Sequence, residues 1–162
     1  MKTKLQRVFL TVGIVLSSVG CGQADDTRNG IPAQASFETS RAVEKKVKIH
    51  IKTEKQTLVA TLEDNATSRD FVSLLPLTIT LEDYAGTEKI SRFSRKLSVD
   101  GAPAGYDPSI GDLAYYAPWG NLAIFYKDFG YSNSLIHLGQ IDSGIEVLSG
   151  SGSVPVTIEV IE

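Results

Sequence analysis

The stretch GDLAYYAPWGNLAIFYKDFGY, Gly111 to Tyr131, decides the architecture of this chain. It is far more aromatic than the chain's 8% average. Leu113 to Ala117 and Asn121 to Lys127 each have the length and character of one strand, and Pro118-Trp119-Gly120 separates them. Proline fixes one backbone angle and has no N–H, while glycine reaches conformations closed to other residues. The three residues therefore predict a bend between two strands with Trp119 displayed at the corner. Asp128-Phe129-Gly130 supplies a further turn signal.

The same grammar continues on both sides. Upstream, Val47, Ile49 and Ile51 alternate with Lys46, Lys48, His50 and Lys52, the period of two of a half-buried strand. The turn Thr53 to Gln56 leads to a second strand, Thr57 to Leu62, so the domain opens with an antiparallel hairpin. In DNATSRDFVSLLP, Asp64 to Pro76, Asn65 can cap a short helix that Pro76 ends. Strands resume with Leu77, Ile79 and Leu81 alternating with Thr78, Thr80 and Glu82. After a turn at Asp83 to Gly86, Glu88 to Leu97 continues with mixed character, and Ser98 to Ile110 reads as a loop. Downstream, 135–138 and 141–148 read as separate strands, and Val154, Val156, Ile158 and Val160 share one face of the last. Many short strands, regular turns and one short helix argue an all-β barrel or sandwich. Closure into a barrel is favoured because it leaves few naked edges.

The N-terminal end has a different composition. Lys2, Lys4 and Arg7 precede the apolar run Val8 to Val15 and the small residues Ser17, Ser18 and Gly20, the layout of a secretory signal peptide over residues 1–20. The run is far shorter than the roughly 20 residues that span a bilayer. Cys21, the only cysteine, follows at once. Its setting resembles the lipobox of bacterial lipoproteins, with Gly20 as the small residue before the cysteine and Ser18 where that motif usually has leucine. The resemblance implies lipidation at Cys21 and an exported protein anchored at the cell envelope. One cysteine excludes an intrachain disulfide framework. Residues 21–43, polar and scattered with Gly, Pro, Ser and Asp, read as a linker, and 44–162 as the folded domain. The formal net charge is −3, and loss of residues 1–20 removes only basic groups, which argues against nucleic acid as a partner.

Asp64-Asn65, Leu75-Pro76, Asp83-Tyr84, Glu88-Lys89, Gly111-Asp112, Tyr116, Pro118-Trp119-Gly120 and Leu138-Gly139 occur in an order that resembles the bacterial cyclophilin-like domain family. These are small closed β-barrels related in fold to the peptidyl-prolyl isomerases. The likeness covers about Val47 to Glu162 and implies a closed cyclophilin-like β-barrel with one short helix. Catalytic cyclophilins carry a Phe-x-Arg context and a Gln-Gly-Gly-Asp stretch, and this chain has neither; Arg92 and Arg95 are the nearest arginines.

Two readings of the aromatic stretch stay open. In one, its rings pack a barrel core; in the other, Tyr84, Tyr116, Trp119 and Phe129 line a mouth in the barrel wall, with Glu88, Lys89 and Asn121 supplying polar contacts. Alternation lets both hold for different residues. The expected function is binding of a small molecule or short peptide in an aromatic cleft, with a peptidyl-prolyl isomerase and an accessory lipoprotein without ligand as alternatives. No cofactor is implied. His50 sits among lysines and His137 in an apolar strand, neither with further metal ligands at suitable spacing.

Overall fold

The computed structural model of the protein describes residues 46–162. The expected signal peptide, Cys21 and the expected linker lie outside the described residues. The elements are β1 (Lys48–Lys52), β2 (Thr57–Leu62), α1 (Ala66–Val72), β3 (Leu77–Tyr84), β4 (Glu88–Arg92), β5 (Gly105–Tyr106), β6 (Asp112–Tyr116), β7 (Asn121–Phe125), β8 (Ser132–Asn133), β9 (Leu135–Ile141) and β10 (Val154–Val160). Eight of these strands close an antiparallel barrel in the order β1-β10-β3-β4-β7-β6-β9-β2, so every long strand is paired on both sides.

The aromatic stretch forms β6 and β7, with Leu113 opposite Ile124 and Tyr116 opposite Asn121. The bend between them closes when Gly120, at φ 69°, donates its N–H to Tyr116 O at 2.9 Å. That positive φ is why glycine ends the bend. Successive side chains leave a strand on opposite faces. Leu113, Tyr115, Leu122 and Ile124 thus enter the barrel core with Ile49, Ile51 and Leu138. Ala114, Ala123, Phe125 and Leu135 form a second buried cluster on the outer wall, with Ile90, Tyr106 and Tyr116 packed against it. Ala114 lies opposite Ala123, and these small side chains leave room for the segment carrying β5, which pairs with β8.

Asn65 caps α1 as its sequence position predicts: its side chain accepts from Ser68 N at 2.8 Å and donates to His137 O at 2.9 Å. The cap thereby ties the helix to β9, and Phe71 drops fully buried into the barrel core.

Three expectations are corrected. The segments 135–138 and 141–148 are not two strands: β9 runs unbroken to Ile141, and Ile145–Leu148 is a 3-10 turn. A Cβ at Gly139 would stand 2.3 Å from Thr61 O, so its lack of a side chain lets β9 pass close against β2 where the expectation left a gap between two strands. The loop 98–110 also contains β5, too short to carry a periodic signal. Finally, β4 stops at Arg92, and Glu88 to Leu97 is not strand throughout.

Candidate binding cleft

Along β4 the side chains of Glu88, Ile90 and Arg92 leave the barrel outward, and Lys89 and Ser91 point inward. Strand pairing sets Tyr84 opposite Glu88, Glu88 opposite Phe125, and Arg92 opposite Asn121, which in turn faces Tyr116. One outer face thus gathers residues that are far apart in sequence. They enclose a cavity of about 180 Å³, walled by Tyr84, Tyr116, Trp119, Phe125 and Phe129 and floored by Ile90, Asn121 and Leu135. Glu88 and Ser132 complete its lining. At about 30 Å³ per water, the space would hold about six water molecules or one ring-sized group.

Trp119 stands at the rim, 40% exposed. Tyr84 and Tyr116 meet it in T-shaped pairs at centroid distances of 5.5 and 5.4 Å, nearly perpendicular in both cases. Arg92 donates to Trp119 O at 3.0 Å and lays its guanidinium over the indole, 5.7 Å from the ring centroid. That arginine braces the bend, because both of these contacts are to the Trp119 residue itself.

Two polar groups of the cleft, Asn121 Oδ1 and the Glu88 carboxyl, stand out as acceptors. Asn121 is 2% exposed; its amide nitrogen donates to Leu122 O at 3.0 Å, which leaves Oδ1 buried without a partner. A buried acceptor in that state costs about 1–3 kcal/mol. Burial pushes the Glu88 carboxyl up to about 7, with no ion pair or hydrogen bond contributing to the shift.

Of the residues singled out from sequence, Tyr84, Glu88, Tyr116, Trp119 and Asn121 come together here, as does Phe129. Lys89 does not. Its side chain is 1% exposed on the inner side of β4, where the ammonium donates to Gly150 O, to Gly152 O at 2.6 Å and to Asp83 at 3.3 Å. Glu88 and Lys89 are neighbours in sequence, but the period of two sends them to opposite sides of the wall. Arg95 is likewise absent from the lining. It forks onto the Asp70 carboxylate of α1, whose pKa that pairing lowers, and fastens the loop after β4 to the helix.

Sequence reasoning missed Ile90, Phe125, Ser132 and Leu135, which read only as strand or turn residues. It also missed a polar patch on the same outer wall. His137 Nε2 lies 3.5 Å from Asp112 Oδ1, its ring 5.3 Å from that of Tyr106, and the Tyr106 hydroxyl is buried without a partner. Desolvation, together with the Asp112 charge, drives the Tyr106 pKa well above the usual phenol range. Among the described residues, no group of three His, Cys, Asp or Glu could hold a metal. Larger hollows exist, including one of about 670 Å³ beside Leu75, Pro76 and residues 159–162. None of the buried side-chain atoms without a hydrogen-bond partner among the described residues, Asn121 Oδ1, the Tyr106 hydroxyl and His137 Nε2, belongs to the lining of that one.

Comparison with known proteins places the barrel. A sequence model of the Cyclophilin-like family matches residues 51–159. The solution structure of a hypothetical protein from Archaeoglobus fulgidus is similar in fold, with a TM-score of 0.54 at 19% identity over 72% of this chain and 95% of that one. No curated protein matches the chain.

Proposed function

We propose that this chain, which belongs to the Cyclophilin-like family, binds a small molecule or a short peptide segment in the aromatic cleft on the outer wall of its barrel. The observation that carries this reading is a cavity walled by five aromatic rings, with the Glu88 carboxyl in its lining and, in its floor, Asn121, whose side-chain oxygen Oδ1 is buried without a partner. Aromatic walls with a few convergent polar groups are the usual make-up of a ligand pocket. A bound group that donates to Asn121 Oδ1 would recover the cost of leaving it unpaired. Lipidation at Cys21 would hold the protein at a membrane, which fits a binding domain carried on a polar linker.

The test uses Trp119, the chain's only tryptophan. Titrating the protein with a panel of small aromatic compounds and capped dipeptides should shift Trp119 emission saturably for some members. Asn121→Leu should abolish those shifts while leaving the melting temperature close to that of the parent. A panel that shifts neither Trp119 emission nor the backbone amides of β4, β6 and β7 would refute the reading.

A further inference from the structure

The chemistry lining the cleft constrains its ligand further, an argument that rests on the binding reading above. Around the cavity there is one carboxyl, Glu88, and one unpartnered carbonyl oxygen, Asn121 Oδ1, but no lysine or arginine. The two cations nearest in sequence are committed elsewhere: Lys89 to carbonyls on the inner side of β4, and Arg92 to the Trp119 backbone and ring. An anionic ligand would meet Glu88 with no cation in the lining to compensate. A purely apolar one would leave Asn121 Oδ1 unpaired. Aromatic faces carry the negative end of the ring quadrupole, so walls of Tyr84, Tyr116, Trp119 and Phe129 favour positive charge as well as apolar area.

We propose that the cleft binds a protonated amine, whose N–H groups go to Asn121 Oδ1 and the Glu88 carboxylate while the aromatic walls take up its apolar body. The cavity, at about 180 Å³, suits an amine carrying one ring or a short aliphatic chain. In the free protein, burial holds Glu88 near 7, so close to half of it is protonated at neutral pH. An ammonium beside it stabilises the ionised form, and binding therefore releases a proton.

Near Glu88 stand Tyr84 opposite it on β3, Arg92 further along β4, Tyr116 on β6 in the same lining, and Tyr106 on β5 and Tyr126 beyond β7, which feel its charge; Asp83 is turned to Lys89 and Tyr126, and Asp112 on β6 and His137 on β9 lie against Tyr106. Asp83 is held ionised, chiefly by the hydrogen bond from Tyr126, and burial keeps Tyr106 and Tyr126 protonated. Glu88→Gln separates the carboxyl's contribution from that of His137.

The probes are benzylammonium, benzyl alcohol and benzoate, nearly equal in shape and different in charge, titrated into the full chain with Trp119 emission and amide shifts as readouts. At pH 8 benzylammonium should bind about ten-fold or more tightly than benzyl alcohol, as expected of a charge-assisted contact, with benzoate weakest. If only ionised Glu88 accepts the amine, its affinity should rise about ten-fold between pH 6 and pH 8. Glu88→Gln should flatten that profile and bring the amine and the alcohol within about two-fold of each other. Equal binding of amine and alcohol, or preference for benzoate, would overturn the amine assignment and leave the cleft as a binding site. Silence from all three probes at both readouts would overturn the amine assignment together with the binding reading beneath it.

Discussion

Replacing Glu88 by Gln should stabilise the protein, and only at neutral and alkaline pH. The glutamic side chain is partly buried on the outer wall, and burial alone raises its pKa from 4.5 to about 7. Because the folded pKa lies above the unfolded one, the native state binds more protons between pH 4.5 and 7. Stability from this group is therefore complete below about 4.5, falls as pH rises through 7, and stays low above it. Taken at face value the displacement corresponds to about 3 kcal/mol. The side chain keeps some contact with water, and screening reduces the figure to about 1–2 kcal/mol. Gln has similar shape and no charge to desolvate, so it escapes the penalty.

Urea unfolding of the parent and of Glu88→Gln at pH 5, 6, 7 and 8 measures the effect. The two proteins should nearly coincide at pH 5, and the variant should gain about 1–2 kcal/mol by pH 8, which corresponds to several degrees of melting temperature for a domain of this size. A difference that does not change with pH would refute the reasoning. So would a variant less stable at pH 8, because it would mean that the folded protein holds the carboxylate in a favourable contact.

Lys89→Met, one residue along the same strand, should have the opposite sign: it leaves the Gly150 and Gly152 carbonyls without their donor, takes the cation from Asp83, which keeps only its hydrogen bond from Tyr126, and should cost about 3 kcal/mol, read as a lower melting temperature with amide shifts over residues 149–153. Gly139→Ala puts a methyl group 2.3 Å from Thr61 O and should part β9 from β2, with loss of the cooperative melt as the readout. Trp119→Ala should cost well under the roughly 3–5 kcal/mol typical of a buried aromatic, because Trp119 is 40% exposed; emission of the parent should be red-shifted and accessible to quenchers. Cys21→Ala should release the protein from membranes, and mass spectrometry of the parent should find acyl mass on an N-terminal Cys21.

The barrel was legible in the sequence because its signals are local. Alternation in VKIHIK, Asn65 ahead of α1, and the Pro-Trp-Gly bend each follow from backbone sterics and from which face meets water. The same alternation set Ile49 and Ile51 on one face of their strand before any pairing was known. It also separates Glu88 from Lys89, a consequence that becomes visible only when β4 is seen to form part of a wall with two buried sides. The corrections arise where the deciding contact is distant. Gly139 reads as a break until β2 is found pressed against it, and Gly105 marks an equally close approach of β5 to β8, where a Cβ would lie 2.1 Å from Ser132 O.

The cleft belongs to this second class. Its aromatic rim was visible in sequence because Tyr84, Tyr116 and Trp119 lie beside turn residues, but of its floor only Asn121 was. Ile90, Asn121 and Leu135 sit on three strands, and only the pairing of β4, β7, β6 and β9 makes them one surface. Strand order depends on pairings between residues distant in the chain, of which local pattern carries no record. Tertiary structure alone therefore decided that Asn121 lacks a partner and that Glu88 is pressed out of water, because burial is a property of what lies across a surface.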